Sequence, residues 1–208
     1  MIGALLPGVV VVESTRGDVE GVELYAAEEE AVGRAVEKRR REFTTGRGLA
    51  RDALARLGVP AQAIPRGERG EPLWPDGVVG SITHCAGYRA CAVARSGDLA
   101  ALGIDAEPDE PLPPGILEAI ARPEERRAIA RVNWDRVLFS AKESVFKTWF
   151  PLTGEWLGFE DATLALRDDG TFSAKLLQRS VTLDGRWLCQ GGFAMTAIAL
   201  SRTWRVGA

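Results

Sequence analysis

The chain has 208 residues and a formal net charge of −3 at pH 7, which is long enough for one domain or two small ones with a real core. Its apolar fraction of 46% and charged fraction of 26% are typical of a globular protein. The slightly acidic balance gives no global basic field for nucleic acid, and no apolar run approaches the length of a membrane span. These numbers argue against a nucleic-acid-binding protein of the basic type and against a helical membrane protein.

The N-terminal segment lacks the basic start of a signal peptide, and its alternating valines predict a first strand instead. Cys85, Cys91 and Cys189 are odd in number, lie in apolar contexts and lack metal-ligand spacing. We therefore expect three reduced, packed thiols in a cytoplasmic protein.

The first half of the chain predicts helices followed by strands. Residues 26–58 are mostly helical, with one helix over 28–42 and another over 46–57. A loop rich in glycine and proline spans 64–77. Two strands follow at 78–84 and 88–95, and a third strand from residue 99 ends in Asp105-Ala106-Glu107.

The second half repeats this order after a proline-rich connector over 108–115. Its predicted helices cover 116–121, 123–130 and 133–150, the last of them closed by Pro151, and its predicted strands cover 162–167, 171–177, 187–189 and 193–201. Each half thus consists of helices followed by a three- or four-stranded antiparallel sheet. We predict an α+β fold of two similar lobes, residues 1–107 and 108–208.

Asp105 and Glu107 form the first candidate site. Alternate residues of a strand share a face, so the two carboxylates point the same way, while Ala106 points aside and Pro108 ends the strand. Two carboxylates on one face repel each other unless a cation lies between them. Their oxygens suit Mg²⁺, which takes further ligands from a substrate phosphate. An isolated D-x-E is more often a solvated strand end, but the rest of the chain reverses this preference.

The helix over 133–150 carries the second candidate site. One face is apolar core, and the opposite face carries Glu143 and Lys147, flanked by phenylalanines at 139, 146 and 150. An exposed pair of this type contributes only about 0.2–0.5 kcal/mol, whereas the aromatic surround predicts a face buried against a ligand or the other lobe. A buried Glu143 needs Lys147 or a metal as its partner. It would then be a third metal ligand or a general base.

Basic residues cluster at 38–41, at Arg47 and in the loop at Arg66 and Arg69. The run at 38–41 is in part a solvated helix end, whereas the glycines of the loop 66–70 let backbone N–H groups approach an anion. His84, the only histidine, is either a structural residue or, with Thr83, a phosphate ligand. It does not form a nucleophilic pair with Cys85, because neighbours on a strand point apart.

Three motifs occur in a fixed order. They are S-x-[TS]-H at 81–84, preceded by Gly-Glu-Pro at 70–72, then G-[IV]-D-x-E at 103–107, and [FW]-[SC]-x-K-E-[SA]-x-x-K at 139–147. Together they resemble the Sfp-type 4′-phosphopantetheinyl transferases, in particular their actinobacterial branch. The segments 74–89 and 149–162 are similar to that branch almost residue for residue. The likeness runs from about residue 39 to 161, and more loosely to the C-terminus.

This resemblance implies a monomer of pseudo-twofold symmetry that binds coenzyme A in the cleft between its lobes. It implies Mg²⁺, or Mn²⁺, held by Asp105, Glu107, Glu143 and the carbonyl of Ala106. The coenzyme A ligands that it implies include the metal ligands Asp105 and Glu143 and, in addition, Arg39, Arg47, Arg66, Gly67, Glu68, Arg69, Thr83, His84, Lys142, Lys147 and Trp156. Of these, Lys142 and Lys147 would neutralise the pyrophosphate and Trp156 would line the pantetheine path. The family commonly has lysine where this chain has Arg66, so the contact geometry there differs.

The implied reaction is attack of a serine hydroxyl of an apo acyl or peptidyl carrier protein on the β-phosphorus of coenzyme A, which releases adenosine 3′,5′-bisphosphate. Glu143 is the expected base, directly or through a water, and Lys147 the expected neutralising cation. Carriers of fatty acid synthases, polyketide synthases and non-ribosomal peptide synthetases are all candidate acceptors, with residues 116–131 as a candidate docking region. The alternatives are a magnesium-dependent nucleotide or pyrophosphate hydrolase and a non-catalytic coenzyme A-binding module.

Overall fold

A computed structural model describes residues 1–129 and 134–204. The α-helices are α1 (Ala26–Val32), α2 (Glu37–Arg56), α3 (Ile116–Ile120), α4 (Pro123–Ile129) and α5 (Asp135–Thr153), with short 3₁₀ helices at Ile2–Leu5 and Phe159–Asp161. The strands are β1 (Val11–Thr15), β2 (Val78–Cys85), β3 (Tyr88–Arg95), β4 (Leu99–Pro108), β5 (Ala162–Leu166), β6 (Thr171–Leu176), β7 (Val181–Gln190) and β8 (Phe193–Ser201). The predicted helix ends at residues 130 and 133, and the last residues of the predicted docking region, lie outside the described residues.

Two antiparallel sheets form the framework. The first has the strand order β1-β3-β2 and the second β4-β8-β7-β6-β5. Helix α2 packs on the first sheet through Leu49, Ala53 and Leu54. Helix α5 packs on the second through an apolar stripe that includes Leu138 and Trp149. The α+β class is confirmed, since each sheet is covered by one long amphipathic helix.

Strand β4 does not join the sheet of the first half, and our expectation that it would was wrong. It pairs with β8 of the second half, with Asp105 opposite Thr196. Its outer edge faces β2, where the hydroxyls of Ser81 and Thr83 accept the backbone N–H groups of Ile104 and Ala106, both at 3.1 Å. The strand therefore links the two halves. The lobe boundary at 107/108 stays a prediction.

The helix boundaries near residue 35 also differ from the prediction. Helix α1 ends at Val32, and residues 33–36 are not α-helical. Helix α2 then runs without interruption through Phe43 and Thr45, where the prediction had one helix end at 42 and another begin at 46. Both side chains are buried, so their packing outweighs the weak helix propensity of this stretch. Pro151 does not close the helix predicted over 133–150 but lies inside α5, which continues to Thr153 and is capped by Gly154 at a φ of 71°. Proline is tolerated there because it removes only one backbone donor close to the helix end.

Strand β7 begins six residues earlier than the predicted 187–189. Asp-Gly is a pair typical of turns, but Gly185 lies inside the strand opposite Phe172. A Cβ on Gly185 would lie 2.2 Å from the ring of Phe172. Glycine is needed at this position for close packing and not for a turn.

The cysteines and the helices agree in part with the expectations. All three cysteines are free thiols. Cys85 and Cys91 are buried as expected, but Cys189 is exposed. No helix of the described residues has the length and apolar character needed to cross a bilayer.

Hydroxyl groups fix α5 against the second sheet. Thr196 of β8 lies 3.0 Å from the hydroxyl of Ser140 and 2.6 Å from that of Ser144. On the neighbouring strand, Gly103 lies so close to α5 that a Cβ there would be 2.2 Å from Thr148 Oγ1 and 2.4 Å from the carbonyl oxygen of Ser144. The glycine that precedes the D-x-E pair thus allows the close contact between β4 and α5.

Gly103→Ala is expected to destabilise the protein by about 1–3 kcal/mol, since the added methyl group forces β4 and α5 apart. The measurement is the free energy of unfolding in urea. Gly97→Ala is the control, because its Cβ would meet no heavy atom within 4 Å. An equal loss of stability in the two variants would show that the close contact at Gly103 is unimportant.

Candidate active site

Asp105 lies at the centre of the candidate site. It is buried, at 3% exposure. Its Oδ1 accepts hydrogen bonds from Lys147 Nζ at 2.6 Å and from Thr83 Oγ1 at 3.1 Å. Its Oδ2 is buried and has no hydrogen-bond partner among the described residues. One carboxylate oxygen is thus firmly held, and the other is available to a ligand.

Glu107 shares the strand face of Asp105, as predicted for alternate residues. Its Oε2 lies 3.4 Å from Arg136 Nη1 in the first turn of α5. Burial, together with the charge of Asp105, raises the pKa of Glu107 to about 7, although Arg136 opposes the shift. The carboxylate therefore lies in an environment that favours an added positive charge.

Glu143 and Lys147 approach the strand from α5. Burial raises the pKa of Glu143, Asp105 adds to the shift, and Lys147 opposes it. Burial disfavours the Lys147 ammonium, but Asp105 and the two glutamates more than offset this and raise its pKa. Lys147 is therefore a stable cation between three acids.

Thr83 and His84 have partners within the protein, and their predicted contact with a phosphate stays a prediction. The Thr83 hydroxyl donates a hydrogen bond to Asp105 and accepts one from the N–H of Ala106. His84 Nε2 contacts the guanidinium of Arg39, and its Nδ1 lies 3.5 Å from Glu42 Oε2. Burial, reinforced by Arg39, lowers the pKa of His84 to about 4, so the ring is neutral at pH 7 and accepts a hydrogen bond from Arg39.

Lys142 makes all of its recorded contacts inside the protein. Its Nζ lies 3.0 Å from Glu125 Oε2, 2.7 Å from the carbonyl oxygen of Phe159 and 3.0 Å from that of Ala162. These contacts use all three donors of the ammonium, and the side chain is 2% exposed. Lys142 thus links α5 to α4 and to the second sheet, and its predicted contact with a pyrophosphate stays a prediction.

Arg47 is also held inside the protein. Its guanidinium stacks on Phe43 at 4.1 Å and its Nε donates to the carbonyl oxygen of Ile64 at 2.7 Å. The N–H of the same Ile64 donates to the buried carboxylate of Glu28 at 2.8 Å. Burial lowers the pKa of Arg47 to about 10. Arg47 and Glu28 thus anchor the start of the loop that carries Arg66.

The loop 66–70 forms a tight turn on the surface. Gly67 N–H donates to the carbonyl oxygen of Glu71 at 2.8 Å, and the Glu71 carboxylate accepts the N–H of Arg69 at 3.0 Å. A side chain on Gly67 would collide with that carboxylate, since its Cβ would lie 2.0 Å from Oε1. Arg66 and Glu68 are exposed, and the Arg69 guanidinium lies over the ring of Trp156 at 5.7 Å.

Two pockets meet at Glu143 and Phe146. One has about 220 Å³ and is walled mainly by apolar groups, including Trp156, Leu157 and Phe159. The other has about 190 Å³ and is lined by residues of both halves, among them Arg69 and Lys147. Trp156 is 60% exposed and packs edge-on against Phe146. An elongated ligand with an apolar part and a charged part would fit this pair of pockets.

The acidic residues fit a divalent cation in the chemistry of their donors. The unpartnered, buried Oδ2 of Asp105 is the decisive observation, and Glu107 and Glu143 add hard oxygen donors nearby. Within the described residues, however, no three His, Cys, Asp or Glu side chains are grouped closely enough to hold a metal by themselves. This agrees with Mg²⁺ sites that take only one or two carboxylates from the protein and the rest from substrate phosphates and water.

Comparisons with known proteins identify the family. A model described as 4′-phosphopantetheinyl transferase N-terminal domain matches residues 27–94, and one described as 4′-phosphopantetheinyl transferase superfamily matches residues 101–198. The chain is 50% identical to the 4′-phosphopantetheinyl transferase Svp of Streptomyces mobaraensis, over 97% of this chain and 89% of Svp. It is 45% identical to Npt of Nocardia iowensis (96% and 99% covered) and 42% identical to PptT of Mycobacterium tuberculosis (96% and 98% covered), both also named 4′-phosphopantetheinyl transferases.

The chain belongs to the 4′-phosphopantetheinyl transferase superfamily. The resemblance inferred from the three motifs is confirmed, including its actinobacterial branch. The protein is a transferase, and the hydrolase and the non-catalytic module lose their support.

Two functional candidates of the transferase were missed from the sequence. Arg136 pairs with Glu107 and donates to the carbonyl oxygens of Glu110 and Pro111 at 2.8 and 2.9 Å. Glu28 is fully buried in α1. For Arg136 the only available signal was its position near the start of the motif helix, and for Glu28 there was none.

The transferase should show a pH-dependent stability that comes from Glu107. Its pKa rises from an ordinary 4.5 to about 7 on folding, so the folded state binds more protons than the unfolded state between these values. Stability therefore falls as the pH rises through this window. Glu107→Gln should remove this fall, so that from about pH 5 to 8 the variant gains about 1–3 kcal/mol relative to wild type.

Urea unfolding at a series of pH values measures this effect. Glu118→Gln, at an exposed position of α3, is the control and should keep the wild-type slope. A Glu107→Gln variant with the wild-type slope would contradict the assignment of this proton to Glu107.

Proposed function

We propose that this transferase moves the 4′-phosphopantetheine group of coenzyme A to a serine of an apo carrier protein, in a Mg²⁺-dependent reaction that releases adenosine 3′,5′-bisphosphate. The observation that carries the proposal is the buried Asp105, which has one oxygen on Lys147 and the other without a partner. It lies where β2, β4 and α5 meet, next to a pocket lined by both halves of the chain.

The basic residues near this pocket are suited to the phosphates of the donor. Lys147 and Arg69 line the pocket. The exposed Arg66 pairs with Pro72, which is part of the lining, and the exposed Arg39 of α2 contacts His84. His84, neutral and bonded to Arg39, orients that guanidinium. Arg47 supports the loop from inside, and Trp156 with Phe146 offers an apolar wall to the pantetheine arm.

Asp105, Glu107 and Glu143, with the carbonyl of Ala106, are the candidate ligands of Mg²⁺. Since no three acids of the described residues are grouped closely enough to hold the ion by themselves, one or two of these carboxylates would bind it together with oxygens of the diphosphate. When bound, the ion would neutralise charge on the diphosphate and so lower the barrier to loss of the leaving phosphate. Mn²⁺ would serve in the same way. Lys147 supplies a second positive charge, and its raised pKa keeps it protonated at neutral pH.

Glu143 is suited to take the proton of the incoming serine. Its pKa is raised by burial and by Asp105, and a base is most effective when its pKa lies near the working pH. The side chain also lies at the border of the two pockets. A base at this border can act on a nucleophile that enters beside the diphosphate, directly or through one water.

The acceptor is proposed to be a carrier protein of a fatty acid synthase, polyketide synthase or peptide synthetase. Helix α4 presents Arg126 and Arg127 in its last turn, as a docking surface for an acidic carrier helix requires. The monomeric state and the cytoplasmic location also stay predictions.

The proposed reaction is tested by intact-mass analysis of several apo carrier proteins. Each is incubated with the transferase, coenzyme A and Mg²⁺, with and without a chelator. We expect at least one carrier to gain the mass of one phosphopantetheine group, and the chelator to abolish the gain. Modification that persists after complete metal removal would contradict the role of Mg²⁺, and transfer of another group from coenzyme A would contradict the reaction.

Glu143→Gln should slow product formation by about 10²–10⁴-fold, while coenzyme A binding, measured by calorimetry, is retained. The amide keeps the size and polarity of the side chain but cannot take up a proton. Glu30→Gln, an exposed position on α1, is the matched control and should have wild-type turnover. Wild-type turnover in Glu143→Gln would rule out Glu143 as the base.

A further inference from the structure

Each acid of the D-x-E pair already has a cation of the protein beside it. Lys147 Nζ lies 2.6 Å from Asp105 Oδ1, and Arg136 Nη1 lies 3.4 Å from Glu107 Oε2. The Lys147 contact is short and mostly buried, since Asp105 is 4% and Lys147 26% exposed in their side chains. Such a charge-assisted hydrogen bond is stronger than one between neutral groups.

A divalent cation that takes Asp105 as a ligand must compete with this ammonium. The two positive charges would lie within a few ångströms of each other in a site of low dielectric, where their repulsion is strong. This repulsion opposes simultaneous binding of the Lys147 ammonium and the metal ion to Asp105. Lys147 needs another acceptor before the ion can bind well.

The protein offers Lys147 few alternatives. Glu143 is one helical turn earlier on α5, but it is itself a candidate ligand of the ion. The Thr83 hydroxyl already bonds Asp105 and Ala106. A diphosphate in the pocket that Lys147 lines would supply fresh anionic oxygens to the ammonium and, at the same time, ligands to the ion.

We propose that Lys147 couples the binding of the two ligands: its ion pair with Asp105 keeps divalent cations weakly bound until a diphosphate draws the ammonium away. This inference rests on the proposed function, because it needs the metal and coenzyme A to share Asp105 and Lys147. By linkage the coupling is reciprocal, so a divalent cation strengthens diphosphate binding by the same factor. The arrangement disfavours loading of the acidic pair with free metal.

The test is Mn²⁺ binding followed by the electron paramagnetic resonance of free Mn²⁺, on the full-length protein, with and without coenzyme A. Wild type should bind Mn²⁺ on the order of tenfold more weakly alone than with coenzyme A. Lys147→Met removes the charge and keeps the length of the side chain, so it should bind Mn²⁺ alone several-fold more tightly than wild type. The enhancement by coenzyme A should shrink in this variant.

Two further variants separate this effect from a general change of charge or of folding. Lys175→Met, on the exposed side of β6, removes the same charge far from the site and should bind Mn²⁺ as wild type does. Lys147→Gln keeps a hydrogen-bond donor without the charge and should repeat the gain seen with methionine. Thermal unfolding of each variant shows that folded proteins are being compared.

The possible results distinguish a failure of the coupling role of Lys147 from a failure of the proposed metal site. If wild type binds Mn²⁺ with coenzyme A, but Lys147→Met and Lys147→Gln bind Mn²⁺ alone no better than wild type, the coupling role of Lys147 is wrong and the proposed function stands. If wild type binds no Mn²⁺ even with coenzyme A, the metal site itself is wrong, and the coupling fails with it.

Discussion

The outer edge of β4 is the constraint on which the rest of the site depends. An edge strand buried inside a protein leaves backbone N–H groups that must find acceptors. Here Ser81 and Thr83 of β2 supply their hydroxyls to Ile104 and Ala106. The two sheets are thereby joined at the strand that carries the acids. Because Thr83 also donates to Asp105, the same contact that closes the edge orients the central carboxylate.

The second constraint is the close contact of α5 with β4 and β8. Gly103 and the hydroxyl network around Thr196 bring the helix near enough for Lys147 to reach Asp105. The result is a cluster in which the charges of three acids and two cations act on one another. Repulsion among the acids is offset by Lys147 and Arg136, and each further charge that enters must rearrange these pairs. This property makes the site responsive to a diphosphate and a cation together.

Patterns of neighbouring residues in the sequence predicted those features of the fold that depend on neighbouring residues. Alternation and turn residues located β2, β3 and β8, and the motif spacing placed Asp105, Glu107, Glu143 and Lys147 in one region. The pairing of β4 with β8 instead of with the first sheet depends on contacts between distant segments, which no local pattern encodes. The same holds for the contacts of Lys142 with Glu125 and of Arg47 with Ile64, which join segments that are distant in the sequence. The role of Arg136 could not be predicted, because it depends on contacts with Glu107 and with two carbonyl oxygens of the proline-rich connector.

The central claim is that a diphosphate and a divalent cation meet at Asp105 beside Lys147. A crystal structure of the protein with coenzyme A and Mn²⁺, with the ion located by anomalous scattering, tests it most directly. The account predicts the ion at coordination distance, about 2.0–2.3 Å, from an Asp105 oxygen and from a diphosphate oxygen, with Lys147 Nζ on the phosphate. An ion or a diphosphate bound away from both Asp105 and Lys147 would contradict it.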